Sequence, residues 1–196
     1  MNICVFGASS STIDTSFIDE TTQLGEKIAL NGHTLIYGAG ASGLMGAAAR
    51  GAHAKGGTII GVVPDFFVDE DMGVDGRLFE SCTELVLTDT MRERKRIMED
   101  RADAFIVVPG GIGTFEEFFE VFTLKQLQRH NKAIAVLNLN GYYDAMLRML
   151  DEAEQLHFVG ESCRDLIRVF TDMDEMLDYI ENYVPENINI FQAKNI

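Results

Sequence analysis

The sequence has few cysteines and histidines. Its three cysteines, Cys4, Cys82 and Cys163, are odd in number and far apart, which argues against a disulfide framework and against a CxxC metal site. The four histidines are equally scattered, so no metal-ligand spacing is present. We therefore expect free, mostly buried thiols, and we expect neither a bound metal ion nor a cofactor.

Long apolar runs are also missing. No run approaches the roughly 20 residues needed to span a bilayer. The first strand-like segment, Met1 to Phe6, continues directly into a glycine turn, without the basic segment and cleavage site of a secretory signal. These features predict a cytoplasmic protein that does not bind a membrane.

Basic residues are outnumbered by acidic ones. The chain has 16 lysines and arginines against 31 aspartates and glutamates, which gives a formal net charge of −15. This charge repels a nucleic-acid backbone, so we do not expect nucleic acid as a partner unless cations are concentrated locally. Any local group of basic residues is therefore informative.

What the sequence does contain is a regular alternation of strand-like and helix-like segments. With 196 residues and 46% hydrophobic content, it is long enough for one well-filled domain. Short apolar runs predict strands at Asn2–Phe6, Thr34–Tyr37, Thr58–Val63, Glu84–Leu87, Ala104–Val108 and Ala133–Leu137, with a seventh near Arg168 and Val169. Amphipathic segments predict helices at Asp14–Asn31, Gly43–Lys55, Asp89–Arg101, Thr114–Arg129, Tyr142–Gln155 and Met173–Tyr183.

Repeated strand–helix units predict an α/β fold. We expect a single doubly wound, Rossmann-like domain with a mainly parallel sheet and helices on both faces. The domain is expected to cover residues 1–184, followed by a C-terminal tail at residues 185–196. In this architecture ligands bind at the carboxyl ends of the strands.

Glycines collect at three of these carboxyl ends. The stretches FGASSS, YGAGASGLMG and VPGGIGT follow the first, second and fifth strands, and we expect the three loops to meet at one crevice. The middle loop matches GxGxxG at Gly38, Gly40 and Gly43, so a dinucleotide-dependent enzyme is one alternative. Against it, the motif follows the second strand rather than the first, and another glycine loop competes for the phosphate.

The turn after the fifth strand has the features of an anion site. Gly110, Gly111 and Gly113 leave the backbone open to close approach, and a helix from about Thr114 presents unpaired N–H groups. Phosphate is the anion that this arrangement favours. The structural alternative is a capping box, in which Thr114 is the N-cap and Glu117 its partner three residues later.

Cations are concentrated in the segment DTMRERKRIMED, just before the fifth strand. On a helix, Arg94 and Lys95 share one face with Met91, whereas Arg92 and Arg96 point elsewhere. A solvated basic face explains Arg92 and Arg96. Cations placed among apolar residues usually need an anionic partner, so Arg94 and Lys95 are candidates for a ligand or interface role.

The motifs MRERK and PGGIGTFEE, with YGAGASGLMG upstream and LNGYYDAML downstream, resemble those of a known family. This is the LOG (Lonely Guy) family of cytokinin riboside 5'-monophosphate phosphoribohydrolases, formerly mislabelled as lysine decarboxylases. The resemblance extends through nearly the whole chain. It implies a Rossmann-like homodimer that hydrolyses the N-glycosidic bond of a nucleoside 5'-monophosphate, AMP or N6-modified AMP, to free base and ribose 5-phosphate.

The resemblance also implies roles for individual residues. Arg94 and Glu117 match the family's catalytic arginine and glutamate. The phosphate-loop positions match Gly110, Gly111, Gly113 and Thr114, and nucleotide-contacting positions match Ser9, Met91 and Lys95. The chain departs from the family pattern at Ala39, Arg92, Ile112 and Phe115, and these departures bear on base preference more than on chemistry.

The residue chemistry is compatible with this implied reaction. Breaking a ribosyl C–N bond builds positive charge on the sugar, which a carboxylate such as Glu117 stabilises while it orients or deprotonates the attacking water. Arg94 either keeps Glu117 ionised and aligned or contacts the ribose hydroxyls and the leaving base. The sequence leaves both roles open.

Two other classes of protein remain as alternatives. A nucleotide-binding or sensor protein would keep the crevice without turnover. A lysine decarboxylase would need a Schiff-base lysine for pyridoxal phosphate, for which the sequence offers no context. From the family resemblance we expect a homodimer whose interface includes the helices of Met91 and Thr114, and the apolar run from Phe115 to Leu124 supports this, because it exceeds what one helix face needs for its own sheet.

Overall fold

The computed structural model describes residues 1–68 and 78–185, so the expected C-terminal tail lies almost wholly outside the described residues. The strands are β1 (Asn2–Phe6), β2 (Thr34–Tyr37), β3 (Thr58–Pro64), β4 (Glu84–Thr88), β5 (Ala104–Val107), β6 (Ala133–Leu137) and β7 (Arg168–Phe170). The helices are α1 (Thr15–Leu30), α2 (Gly43–Ala54), α3 (Met91–Arg101), α4 (Ile112–Gln126), α5 (Asp144–Gln155) and α6 (Met173–Glu181).

All seven strands form one parallel sheet in the order β4-β3-β2-β1-β5-β6-β7. The chain winds outward from β1 to the edge strand β4, and α3 then returns it to β5 on the other side of β1. The strand order therefore reverses between β1 and β5, which is where open α/β sheets bind their ligands. The predicted doubly wound, Rossmann-like fold is confirmed.

Helices cover both faces of the sheet. Side chains such as Leu35 and Ile106 pack against α1, α2 and α6, whereas Phe105 and Ile134 pack against α3, α4 and α5. All residues of β5 are buried. This double coverage explains why the central strands read as continuous apolar runs rather than as alternating patterns.

The predicted element boundaries agree closely with the observed ones, and the largest difference that concerns the site is at α4. This helix begins at Ile112 with Gly111 as its N-cap, two residues before the predicted start. Thr114 consequently lies inside the first turn and is buried. Gly111 takes an extended N-cap conformation at this position, and none of the described side chains caps the helix.

The cysteines agree with a further expectation. Cys4 and Cys163 are buried, Cys82 is half-buried, and all three thiols are free. Across the described ranges, no helix has both the length and the apolar character that crossing a bilayer requires.

Candidate active site

The three glycine-containing loops meet at the carboxyl end of the sheet, as predicted. The Ala8 amide, after β1, donates a hydrogen bond to the Pro109 carbonyl (3.1 Å), after β5. The Ala8 carbonyl accepts from the Leu44 amide at 2.8 Å, at the start of α2. A Cβ on Gly43 would lie 2.4 Å from this carbonyl oxygen, so the close approach of the two loops requires glycine there.

The glycines of the turn before α4 have different roles. A Cβ on Gly110 would lie 2.1 Å from the Thr114 Oγ1, so this glycine makes room for a side chain of the protein itself. A Cβ on Gly111 or Gly113 would meet no described atom within 4 Å. No described side chain caps α4, so its first amides and its positive dipole end remain available to an anion.

Two consecutive tyrosines donate hydrogen bonds to carbonyl groups of this turn and of the segment just before it. The Tyr142 hydroxyl donates to the Gly110 carbonyl at 2.6 Å, and the Tyr143 hydroxyl donates to the Val108 carbonyl at 2.7 Å. Tyr143 is fully buried, whereas Tyr142 is partly open to solvent. The sequence interpretation missed both roles, although a tyrosine pair at a helix start was a usable signal because buried tyrosine hydroxyls need partners.

Arg94 and Glu117 form a buried ion pair. The Arg94 Nη1 donates to the Glu117 Oε1 at 2.8 Å, and the two residues are only 6% and 8% exposed. The Arg94 Nε donates to the Val62 carbonyl, in β3, at 3.1 Å. Helices α3 and α4 thus bring together the two residues that the sequence had singled out, and the guanidinium is fixed at more than one of its nitrogens.

The capping-box alternative for Thr114 and Glu117 is wrong. With α4 beginning at Ile112, Glu117 lies in the second turn and its carboxylate pairs with Arg94 instead. A box-like cap does form at the start of α3. There, the Thr90 Oγ1 accepts from the Glu93 amide, and the Glu93 carboxylate accepts from the Asp89 amide, each at 3.1 Å.

Burial makes Glu117 more basic than an ordinary glutamate. Loss of solvation raises the pKa of its carboxyl above the usual value, and the Arg94 guanidinium beside it lowers that pKa and so opposes the shift. A carboxylate with a raised pKa is a better proton acceptor near neutral pH. The environment of Glu117 is therefore suited to general-base chemistry.

Lys95 is engaged with carboxylates of α4. Its ammonium group forms ion pairs with Glu116 and Glu120, and the latter pair measures 2.5 Å. The nucleotide contact implied for Lys95 by the family resemblance stays a prediction. Ser9 is exposed in the loop after β1, and Met91 is exposed at the first position of α3, one turn before Arg94.

The GxGxxG motif of the second loop is used for packing within the protein. Gly43 faces the first loop, and a Cβ on Gly38 would lie 2.0 Å from the Arg94 Nη2. Ala39, where the family frequently has glycine, adopts a φ of 62°, a conformation that favours glycine. Close packing against Arg94 and against the first loop thus accounts for Gly38 and Gly43 without a dinucleotide.

Comparison with known proteins identifies relatives over almost the whole chain. A family model described as "Possible lysine decarboxylase" matches residues 45–180. Cytokinin riboside 5'-monophosphate phosphoribohydrolase LOG2 of Arabidopsis thaliana is 37% identical over 185 residues, which cover 94% of this chain and 84% of that protein. LOG4 of the same plant is 35% identical over 93% of this chain and 83% of its own length.

Solved structures share the fold at lower identity. The molybdenum cofactor carrier protein of Chlamydomonas reinhardtii has a TM-score of 0.67 at 21% identity, over 92% of this chain and 95% of that one. The molybdenum cofactor binding protein of Rippkaea orientalis has a TM-score of 0.66 at 20% identity, over 92% and 94% of the two chains. At this identity the likeness concerns the fold alone. The sequence relatives carry the assignment, and the chain belongs to the LOG family of cytokinin riboside 5'-monophosphate phosphoribohydrolases.

Proposed function

We propose that this protein hydrolyses the N-glycosidic bond of a nucleoside 5'-monophosphate to free base and ribose 5-phosphate. The observation that carries the proposal is the buried ion pair of Arg94 and Glu117 on the helices beside the uncapped amino end of α4. The names of the family's characterised members, which are phosphoribohydrolases, support the same reaction.

The 5'-phosphate binds at the start of α4. The amides there lack a side-chain cap among the described residues, and Gly111 and Gly113 leave room for the phosphate oxygens. The helix dipole adds attraction for the negative charge. The binding energy of the phosphate, which takes no part in the reaction, then holds the ribose in position for bond cleavage.

Glu117 acts on the reacting centre. As the base departs, its carboxylate stabilises the positive charge on the ribose and accepts a proton from the attacking water. Arg94 aligns the carboxylate through the 2.8 Å hydrogen bond and opposes the rise in its pKa that burial causes. The hydroxyl of the attacking water adds to the ribose, the proton of that water passes to Glu117, and the leaving base takes up a proton.

The substrate that we propose is AMP or an N6-modified AMP. The relatives named above act on cytokinin riboside 5'-monophosphates, so cytokinin activation is the role that we propose for this chain. We also propose that it works in the cytoplasm as a homodimer.

The support for a homodimer differs from what the sequence suggested. In the apolar run of α4, Phe118 and Phe122 are buried in the protein's own core, whereas Phe115, Phe119 and Leu124 are half-buried. Exposed apolar residues lie instead at the helix starts, where Met91 is 40% exposed and Ile112 is 83% exposed. These two side chains support an interface built on α3 and α4.

The test is a comparison of AMP with adenosine, with chromatography to detect free adenine. We expect AMP to be cleaved at least about 10²-fold faster, measured as kcat/KM, because adenosine lacks the group that α4 binds. The protein is also incubated with lysine and pyridoxal phosphate to test for lysine decarboxylase activity, and we expect no release of carbon dioxide. Absence of adenine from every nucleoside monophosphate tested would overturn the proposed function, and equal cleavage of AMP and adenosine would remove the phosphate from it.

A further inference from the structure

Three sides of the Arg94 guanidinium are fixed by the protein. Its Nε donates to the Val62 carbonyl, and its Nη1 donates to the Glu117 carboxylate. Its Nη2 lies against the backbone of Gly38, 2.0 Å from the position that a Cβ would occupy there. No side chain larger than hydrogen fits at residue 38 while the guanidinium stays where it is.

The backbone of Gly38 gives no other reason for a glycine. Its φ is not among the positive values found at Gly43, Gly32 or Ala39, so an alanine would not be strained there. Of the three described atoms nearest to such a Cβ, two belong to Arg94 and the third is the Met45 sulfur at 3.2 Å, which is part of a flexible side chain. The steric constraint at residue 38 therefore comes chiefly from Arg94.

We propose that Gly38 is a positioning residue for the reaction. Because it has no side chain, it leaves the space that the Arg94 guanidinium occupies when it hydrogen-bonds to Glu117. The inference rests on the proposed function for its catalytic meaning. The first glycine of GxGxxG thus has a role unrelated to phosphate. It leaves room at the end of β2 for the guanidinium of an α3 residue.

The consequence of adding one methyl group can be stated step by step. In Gly38→Ala the Cβ displaces the guanidinium, which is the free end of a side chain and moves more easily than backbone. Glu117 then loses an aligned cation, and its pKa rises further, because Arg94 is the group that opposes the effect of burial. The remaining charged neighbours that influence Glu117, which are Glu116 and Lys95, are unchanged by the substitution.

The experiment combines kinetics with a direct titration of Glu117. We expect Gly38→Ala to fold with a Tm below that of the wild type, because the buried pair is disturbed, but above that of Arg94→Ala, which removes the cation altogether. Its kcat for AMP should fall about 10²-fold with KM changed less than threefold, because a shift of about 1 Å in a catalytic group has an effect of this size and the phosphate site is untouched. The acid limb of kcat/KM and the Glu117 pKa followed by carbon-13 NMR should both move to higher pH.

Two controls make the result specific. Gly40→Ala, two residues along the same loop, introduces a Cβ whose one contact within 4 Å among the described residues is the Met45 methyl at 3.3 Å, so the Glu117 pKa should stay at its wild-type value. In an Arg94→Ala background, Gly38→Ala should cause no further loss of kcat, since the group that it displaces is absent.

The inference is overturned if Gly38→Ala unfolds the protein, leaves the Glu117 pKa unchanged, or reduces kcat equally with and without Arg94. The NMR titration needs no turnover. If the wild type failed to hydrolyse any nucleotide, the proposed function would be wrong, but the titration of Glu117 would still test whether Gly38 positions Arg94.

Discussion

At the scale of single residues, the site depends on a charged pair held where charges are costly. Glu117 and Arg94 are each less than one-tenth exposed, so each is stable in place only because the other neutralises it. Removing one partner of a buried pair generally costs about 3–5 kcal/mol, because the remaining charge has no water to solvate it. An isosteric change to glutamine removes the neutralising charge but keeps the hydrogen bond and the side-chain volume, so it should cost less than truncation to alanine.

This difference separates catalysis from stability at Glu117. We expect Glu117→Gln to fold and to bind AMP, since the glutamine carbonyl still accepts the hydrogen bond from Arg94. Its kcat should fall about 10²–10⁴-fold, because the amide offers no negative charge and takes no proton. The measurements are kcat by adenine release and AMP affinity by calorimetry.

Arg94→Ala should lower kcat comparably, with a clear loss of unfolding free energy. The double variant should lose far less than the product of the two single effects, as expected for groups that act together. A folded Glu117→Gln protein with near-normal hydrolysis would place the chemistry elsewhere in the crevice.

At the scale of elements, α4 serves two parts of the site. Its first amides face the proposed phosphate position, and its second turn carries Glu117. The turn leading into it is held by hydrogen bonds from the tyrosine pair Tyr142 and Tyr143, which lies next to α5. The orientation of the first turn of α4 therefore depends on a different part of the chain.

The two tyrosine hydroxyls should be separable by mutation. Tyr143→Phe leaves the buried Val108 carbonyl without its donor, so we expect a loss of about 1–3 kcal/mol of unfolding free energy. Tyr142→Phe should cost less than about 1 kcal/mol, because its position is 44% exposed and water can take the donor's place, but KM for AMP should rise several-fold. Urea unfolding and AMP kinetics test both, and an unchanged KM in Tyr142→Phe would contradict the role of Tyr142 in the turn.

The helices and strands could be predicted where the sequence pattern that specifies them is local. The strands are buried, apolar and short, and the helices follow them at regular spacing, so both were assigned from the sequence. The pattern Thr-x-x-Glu occurs at Thr90–Glu93 and again at Thr114–Glu117, but only the first forms a cap. Nothing local distinguishes the two, because the outcome at Glu117 is decided by Arg94 on another helix.

The residues missed from the sequence have the same explanation. The contact of Gly38 with Arg94 joins positions 56 residues apart, and it exists only once β2, β3 and α3 are packed together. Arg94 and Glu117 themselves were identified because they belong to motifs that the family resemblance makes recognisable. Positions that act by contact with a motif residue have no such signal.

At the scale of the whole molecule, the pair joins the two halves of the sheet. Arg94 lies on the helix that returns the chain from β4, and Glu117 lies on the helix that follows β5. The pair therefore forms only after both halves have assembled. The exposed apolar residues at the starts of the same helices place the proposed dimer interface beside it.

The dimer can be tested without reference to activity. We expect sedimentation velocity at micromolar concentration to show a dimer, and Ile112→Asp to shift it to monomer by placing a charge on the proposed interface. The helix should tolerate the change, because an acidic residue at its first position favours the dipole. Phe158→Asp is the matched control, since Phe158 is 81% exposed in the loop after α5 and not at the start of α3 or α4. A monomeric wild type, or equal effects of the two variants, would contradict this interface.

The pairing of the site's cations has a consequence for how substrate arrives. Arg94 is neutralised by Glu117, and Lys95 by Glu116 and Glu120, while the chain as a whole has a formal net charge of −15. A dianionic nucleotide therefore approaches through a repulsive field, and it is attracted only within a few ångströms by the amides of α4. Added salt screens that repulsion, since the Debye length falls to about 10 Å at 0.1 M. The association rate of AMP, measured by stopped flow, should thus increase with ionic strength, the opposite of an enzyme that steers its substrate by charge.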